Sequence, residues 1–184
     1  MGIRENWINL LNQAATGTKE TRTLLTPIGV TIFGVFTALF VLAALWVDEL
    51  LNLPNLLPEG ARLPVAMPLM VFGIAVTAWS GFHFLKVKGT PVPFNPPPEV
   101  VATGPYRYAR NPMLTGVFLF LFGLGLAFGS LSLVLFITPL FILVNLWELK
   151  EIEEPELVKR FGDEYIEYRR RTPMFIPSPG RNRT

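Results

Sequence analysis

Cysteine is absent from this chain, and histidine occurs once, at His83. Without cysteine there are no disulfides, no thiolate nucleophiles and no cysteine metal sites. A single histidine leaves no histidine-rich metal site, so no metal is expected. Charge is also scarce: 16% of residues are charged against 51% hydrophobic, and mean hydropathy is +0.41. The apolar residues fall in uninterrupted blocks, which points to a bilayer protein over a soluble core. The net charge of +2 says little, and no nucleic-acid partner is expected. No apolar core follows a basic start in the first 20 residues, so a secretory signal is not expected there. Asn6 stands where a myristoylation motif requires Ser or Thr. The length allows one domain.

Residues 1–22 are polar, with Ile3, Trp7, Leu10, Leu11 and Ala14 at helical spacing. They read as an N-terminal interfacial segment, with a frayed terminus as the alternative. Two transmembrane helices are expected within 23–88. The first, Leu24 to Val47, carries no charge and has Pro27 in its first turn, where proline is tolerated. The second, Leu63 to Leu85, has Trp79 and His83 near its exit. A histidine there is a polar anchor at the interface or a lone titratable group.

Residues 89–184 contain everything else that bears chemistry. Seven prolines punctuate the stretch from Pro91 to Pro112, which therefore cannot be a regular helix. Such a connector is a stiff spacer or an ordered lid with little entropy to lose. Two short spans follow, Met113 to Phe128 and Leu131 to Trp147, separated by Gly129 and Ser130, so they form an antiparallel hairpin. Gly116, Gly123, Gly125 and Gly129 allow close helix contact, Gly125 and Gly129 at the small-xxx-small spacing, and Pro139 is expected to kink the fourth helix. From Glu148 the chain reads as a charged tail with short helices, in which Pro155 can start a new helix. The expected fold is all-α and integral to the membrane. It has four transmembrane helices, a C-terminal helical hairpin, a proline-rich cytosolic connector and short cytosolic C-terminal helices.

Charge sets the orientation. Arg62 is the one Lys or Arg in the loop after the first span, and the hairpin tip has none. The other 15 basic residues precede the first span or lie in the connector and tail. The positive-inside rule makes those regions cytoplasmic, with both termini inside. A bacterial inner (plasma) membrane is the expected location.

Connector and tail then share one face. Tyr106, Arg107, Tyr108, Arg110 and Asn111 can meet Asn145, Glu148, Glu151, Glu153 and Glu154 at the headgroup boundary. Charge buried beside lipid is costly unless it pairs or binds something, which makes these residues functional candidates. The alternative is that the arginines bind lipid phosphates and the glutamates are a solvated helix end.

The segment Gly104-Pro-Tyr-Arg-Tyr-Ala-Arg-Asn-Pro112 is followed by Gly116, Glu153-Glu154-Pro-Glu-Leu157, Phe161-Gly162, Tyr165, Tyr168, Pro173 and Phe175-Ile-Pro177. This order resembles the isoprenylcysteine carboxyl methyltransferase family, and more closely its bacterial members and the related phospholipid N-methyltransferases, over roughly residues 89–177. The resemblance implies an integral membrane enzyme that uses S-adenosylmethionine. It implies a cofactor site in the Gly-x-Tyr…Arg-His-Pro segment and the Glu-Glu pair, carried over here as Gly104, Tyr106, Arg107, Tyr108, Asn111, Pro112, Asn145 and Glu154. Arg110 and Glu153 are the implied catalytic residues. The acceptor would be lipid-like or prenylated and reached from the bilayer, with membrane lipids as partners. Three positions depart from the family pattern: Asn111 replaces its histidine, Leu114 a tyrosine, and Met174 an arginine. Asn111 retains hydrogen bonding but excludes proton transfer at that position. A membrane sterol-type reductase using NADPH is the alternative enzyme, disfavoured by the Glu153-Glu154 pair. A non-enzymatic lipid-binding scaffold is the alternative outside enzymes. A transporter is disfavoured by spans with no charge at their centre.

Overall fold

The computed structural model describes residues 5, 6, 9, 19–86 and 98–176, with side chains of the first long helix from residue 27 onward. The apolar positions of residues 3–14, the prolines between 91 and 97, and the residues from 177 onward lie outside this set. Among the described residues every regular element is helical. The long elements are α1 (Lys19–Leu50), α2 (Glu59–Lys86) and α3 (Pro112–Phe128). A continuous helical run then extends from Leu133 to Phe161. It contains α4 (Thr138–Glu148) and α5 (Glu154–Phe161), each preceded by a π-helical turn, and is followed by α6 (Asp163–Arg171).

Three helices are long and apolar enough to cross a bilayer: Pro27–Leu50, Glu59–Lys86 and Leu133–Phe161. The fourth apolar helix, α3, has 17 residues, about 26 Å of rise, just under the hydrocarbon thickness. Large apolar side chains stay exposed along the three long spans, among them Leu39, Leu42, Val71, Phe72, Phe136 and Leu143. In water such a surface would aggregate; in lipid it is the solvated surface. The protein is an all-α integral membrane protein.

The fourth span does not end at Trp147 as the sequence suggests. Its helix continues through the acidic residues to Phe161. Pro139 and Pro155 explain how. A proline inside an α-helix has no N–H to donate, and its ring clashes with the carbonyl four residues back. At both prolines one extra residue is taken into the preceding turn. Thr138 N–H bonds to Leu133 O and Glu154 N–H to Leu149 O, each spanning five residues. Pro155 thus sits in the first turn of α5 without starting a separate helix.

The chain folds as two compact units. One comprises Phe33–Ala78 and Met113–Asn145. Its centre is Phe141, fully buried among the rings of Phe33, Phe36, Phe40 and Phe118 at centroid distances of 5.3–6.1 Å. α2 and α3 cross with backbones touching. A methyl group on Gly73 would lie 2.6 Å from Gly116 O, and one on Gly123 would lie 2.5 Å from Met70 Cγ. Close helix contact therefore joins the second and third spans, and Gly125 brings the third against the fourth, where a methyl group would lie 2.7 Å from Val134 Cγ2. Gly129, paired with Gly125 in the sequence reading, instead adopts φ +70° in the hairpin turn. There Ser130 N–H bonds to Gly125 O and Gly129 N–H to Leu126 O, a Schellman end for α3.

The same unit holds the hairpin tip. Ser130 Oγ accepts the N–H of Leu133 at 3.0 Å and donates its own proton to Asp48 at the end of α1. Asp48 also accepts the Ser132 N–H at 2.9 Å. A carboxylate from one helix thus caps the start of another.

The second unit comprises Met1–Ile32, Trp79–Pro112 and Leu146–Thr184. It gathers the end of α2, the connector, the acidic helix and the tail, and it contains most of the candidate site.

Candidate cofactor and acceptor site

The connector enters the site through Thr103, in extended conformation, and Gly104, at φ +58°. Only glycine takes that backbone angle cheaply, and a Cβ at Gly104 would lie 2.6 Å from the His83 ring. A 3-10 turn, Gly104–Arg107, follows with Pro105 in its first turn. The turn buries Tyr106, whose ring meets Phe84 edge-on at 4.7 Å and lies tilted against His83 at 6.2 Å. From α6, Tyr168 Oη donates to Tyr106 O at 2.7 Å. Arg107 and Tyr108 emerge on the outside and are exposed.

Beyond Tyr108 the chain turns inward and pairs with the tail. Arg110 N–H bonds to Pro173 O at 2.8 Å and Asn111 N–H to Met174 O at 3.0 Å. Pro112 is buried at the start of α3. Arg110 then reaches Glu154, where its Nη1 meets Oε1 as an ion pair with both side chains about nine-tenths buried. Arg169 approaches the other oxygen, Oε2, at 3.5 Å from a half-exposed position. The Tyr165 hydroxyl hydrogen-bonds Arg110. Arg110 Nε has no hydrogen-bond partner, so the guanidinium retains unused donor capacity. Two charges this deeply buried pay a desolvation cost that only close pairing offsets.

Burial pushes the phenols of Tyr106, Tyr165 and Tyr168 well above the ordinary tyrosine range. All three stay protonated and offer O–H donors beside neutral rings. Glu153 stands in the π turn before Glu154, and its charge adds to the elevation of the Tyr106 phenol. Among the described residues no ion pair joins Glu153 to Arg110. Asn145 lies in the other compact unit, its amide donating to Phe141 O at 2.7 Å.

Of the candidates read from the sequence, the structure therefore joins Arg110 to Glu154. It places Gly104, Tyr106, Asn111 and Pro112 on the same connector with Glu153 nearby, and it leaves Arg107 and Tyr108 on the outside. Sequence reasoning did not find Arg169, Tyr165 or Tyr168 as walls of the site, although their spacing of three and four residues sets them on one face of α6. It also missed a second buried pair, Glu156 with Arg160 at 3.4 Å, the guanidinium lying 4.5 Å from the Phe161 ring centre. Among the described residues no group of three or more His, Asp or Glu side chains could hold a metal ion.

The phospholipid methyltransferase family model matches residues 61–164, more than half of the chain and including the connector, the hairpin and the acidic helix. The protein belongs to the phospholipid methyltransferase family. This bears out the resemblance carried by the connector and the Glu-Glu pair.

Three curated relatives share part of their sequence with this family member. It is 34% identical over 119 residues to the nickel-cobalt-cadmium resistance protein NccN of Alcaligenes xylosoxydans xylosoxydans, covering 65% of this chain and 51% of that one. It is 33% identical over 82 residues to the protein-S-isoprenylcysteine O-methyltransferase of Schizosaccharomyces pombe, covering 42% and 33%. It is 30% identical over 99 residues to the methanethiol S-methyltransferase of Crocosphaera subtropica, covering 54% and 35%. The chain thus spans between a third and about half of the length of these relatives. No solved structure matches it.

Proposed function

We propose that this protein transfers a methyl group from S-adenosylmethionine to a lipid-like or prenylated acceptor in the bilayer, at a carboxylate or an amine. The observation that carries this reading is the buried Arg110–Glu154 pair, built from connector and acidic helix in a methyltransferase family member. The amino-acid end of the cofactor bears an ammonium and a carboxylate. Glu154 and Arg110 offer the complementary charges side by side, and the open valence on Arg110 Nε suits a bidentate carboxylate contact. The residues present therefore fit the group. Tyr106 and Asn111 are proposed to complete its binding, with Gly104 and Pro112 shaping the backbone and Arg107 and Tyr108 at the rim.

When bound, the cofactor supplies an electrophilic methyl on a sulfonium for in-line displacement. The protein's part is to hold and orient, because proximity is the largest contribution available to such a reaction. Neutral phenol rings beside the pair favour a cation without competing for the methyl. A carboxylate acceptor needs no base. An amine acceptor needs one, and Glu153 is the proposed group. We place both termini on the cytoplasmic side of a bacterial inner membrane, residues 89–184 forming the methyltransferase core.

The test is calorimetric titration of the purified protein in detergent with S-adenosylmethionine, beside Glu154→Gln and Arg110→Ala. Micromolar binding by the wild type that is lost in both variants is the expected result. A folded wild type that does not bind overturns the reading.

A further inference from the structure

We infer that His83 is a positioning residue for the cofactor segment: it ties the last turn of α2 to the Thr103–Tyr106 turn and so sets where Arg110 stands. This rests on the cofactor reading above. Three contacts converge on the imidazole. Its Nε2 shares a hydrogen bond of 2.9 Å with Thr103 Oγ1. Gly104 lies flush against the ring with no room for a side chain. The Tyr106 ring lies tilted against it at 6.2 Å.

The hydrogen bond has a local consequence. Thr103 is the N-cap of the 3-10 turn, a position where a threonine hydroxyl ordinarily caps its own helix. Here that cap is not made. The hydroxyl is committed to His83, so the turn takes its placement from α2 as well as from its own backbone. Downstream, the turn is held by Tyr168 at Tyr106 O and by the tail carbonyls at the amides of Arg110 and Asn111. α2 and the tail therefore grip the segment from opposite ends of the stretch between Thr103 and Asn111. Arg110 projects from its tail-side end, and loosening either grip widens the range of positions the guanidinium samples. The binding energy lost is the cost of restoring a unique position.

The experiment is a double-mutant cycle of His83→Ala and Thr103→Val, with His83→Gln as the conservative variant, whose side-chain amide can still reach Thr103. S-adenosylmethionine Kd is read by calorimetry and Tm by thermal unfolding in the same detergent. Each single variant is expected to raise Kd about fivefold, as for loss of one net hydrogen bond. The double variant should be no weaker than the worse single, His83→Gln should restore most of the affinity, and Tm should stay within about two degrees of wild type. Unchanged Kd in the single variants of a binding wild type overturns the role of His83 alone, as do additive effects or a Tm loss that tracks Kd. No binding by the folded wild type overturns this inference together with the cofactor reading.

Discussion

Two carboxylates in this protein, the half-buried Asp48 near the end of α1 and the buried Glu154 at the start of α5, are satisfied in opposite ways. Asp48 receives a hydroxyl from Ser130 and a backbone N–H from Ser132. Both donors are neutral and are fixed in place by the hairpin turn. Glu154 is held by two guanidiniums, Arg110 and Arg169, one of which keeps an unused donor. Neutral fixed donors make a closed joint. Cationic partners, one with an unpartnered N–H, make a joint that can exchange one of its charges for a ligand's. The chemistry of the partners separates the capping carboxylate from the one proposed to bind.

The largest expected effect breaks the Glu154 side of this comparison. Arg110→Ala leaves Glu154 without its buried partner, and removing one member of such a pair costs about 3–5 kcal/mol. Thermal unfolding in detergent should show a large loss of Tm, and cofactor binding should disappear. Arg110→Ala combined with Glu154→Ala should recover much of the stability and none of the binding. Equal destabilisation of single and double variants would mean that the pair is not coupled.

Asp48→Ala tests the other side. Losing a tertiary cap should cost about 1–2 kcal/mol of stability and leave S-adenosylmethionine Kd unchanged. A weakened Kd at undiminished Tm would show that the closed joint also serves the site, and the contrast drawn above would fall.

The smallest effect sharpens the comparison. Arg169 is 42% exposed at the side chain, and a partly solvated ion pair is worth less than about 1 kcal/mol. Arg169→Gln should leave Tm within error and shift cofactor Kd no more than about threefold. A tighter Kd would mean that Arg169 competes with the ligand for Glu154; a weaker one, that it helps to orient the carboxylate.

The four apolar blocks, the hairpin and the irregular connector were all legible in the chain. Uninterrupted hydrophobic runs and closely spaced prolines act on the backbone where they stand. The candidate residues were legible as a set of charges and tyrosines on one side of the membrane. Their partnerships were not. Arg110 was read as catalytic and Glu154 as a cofactor contact, and in the folded chain the two pair with each other. Arg107 and Arg110 are equivalent in composition, and the 3-10 turn exposes one while the tail pairing buries the other. The fourth helix appeared to end where the charges begin, because charge normally marks a membrane boundary. The π turns at Leu133–Ile137 and Leu149–Glu153 absorb the prolines and carry the helix on.

By itself the sequence determined an all-helical membrane protein with a polar, arginine- and tyrosine-bearing connector facing an acidic helix end, since hydropathy, proline geometry and charge asymmetry are local properties. Tertiary structure alone decided which arginine meets which glutamate, that the tail carbonyls fix the amides of Arg110 and Asn111, and that His83 meets Gly104. Those are contacts between residues some 20 to 63 positions apart, and no local preference encodes them. They form because burying a charge or a backbone amide without a partner costs more than ordering the chain to supply one.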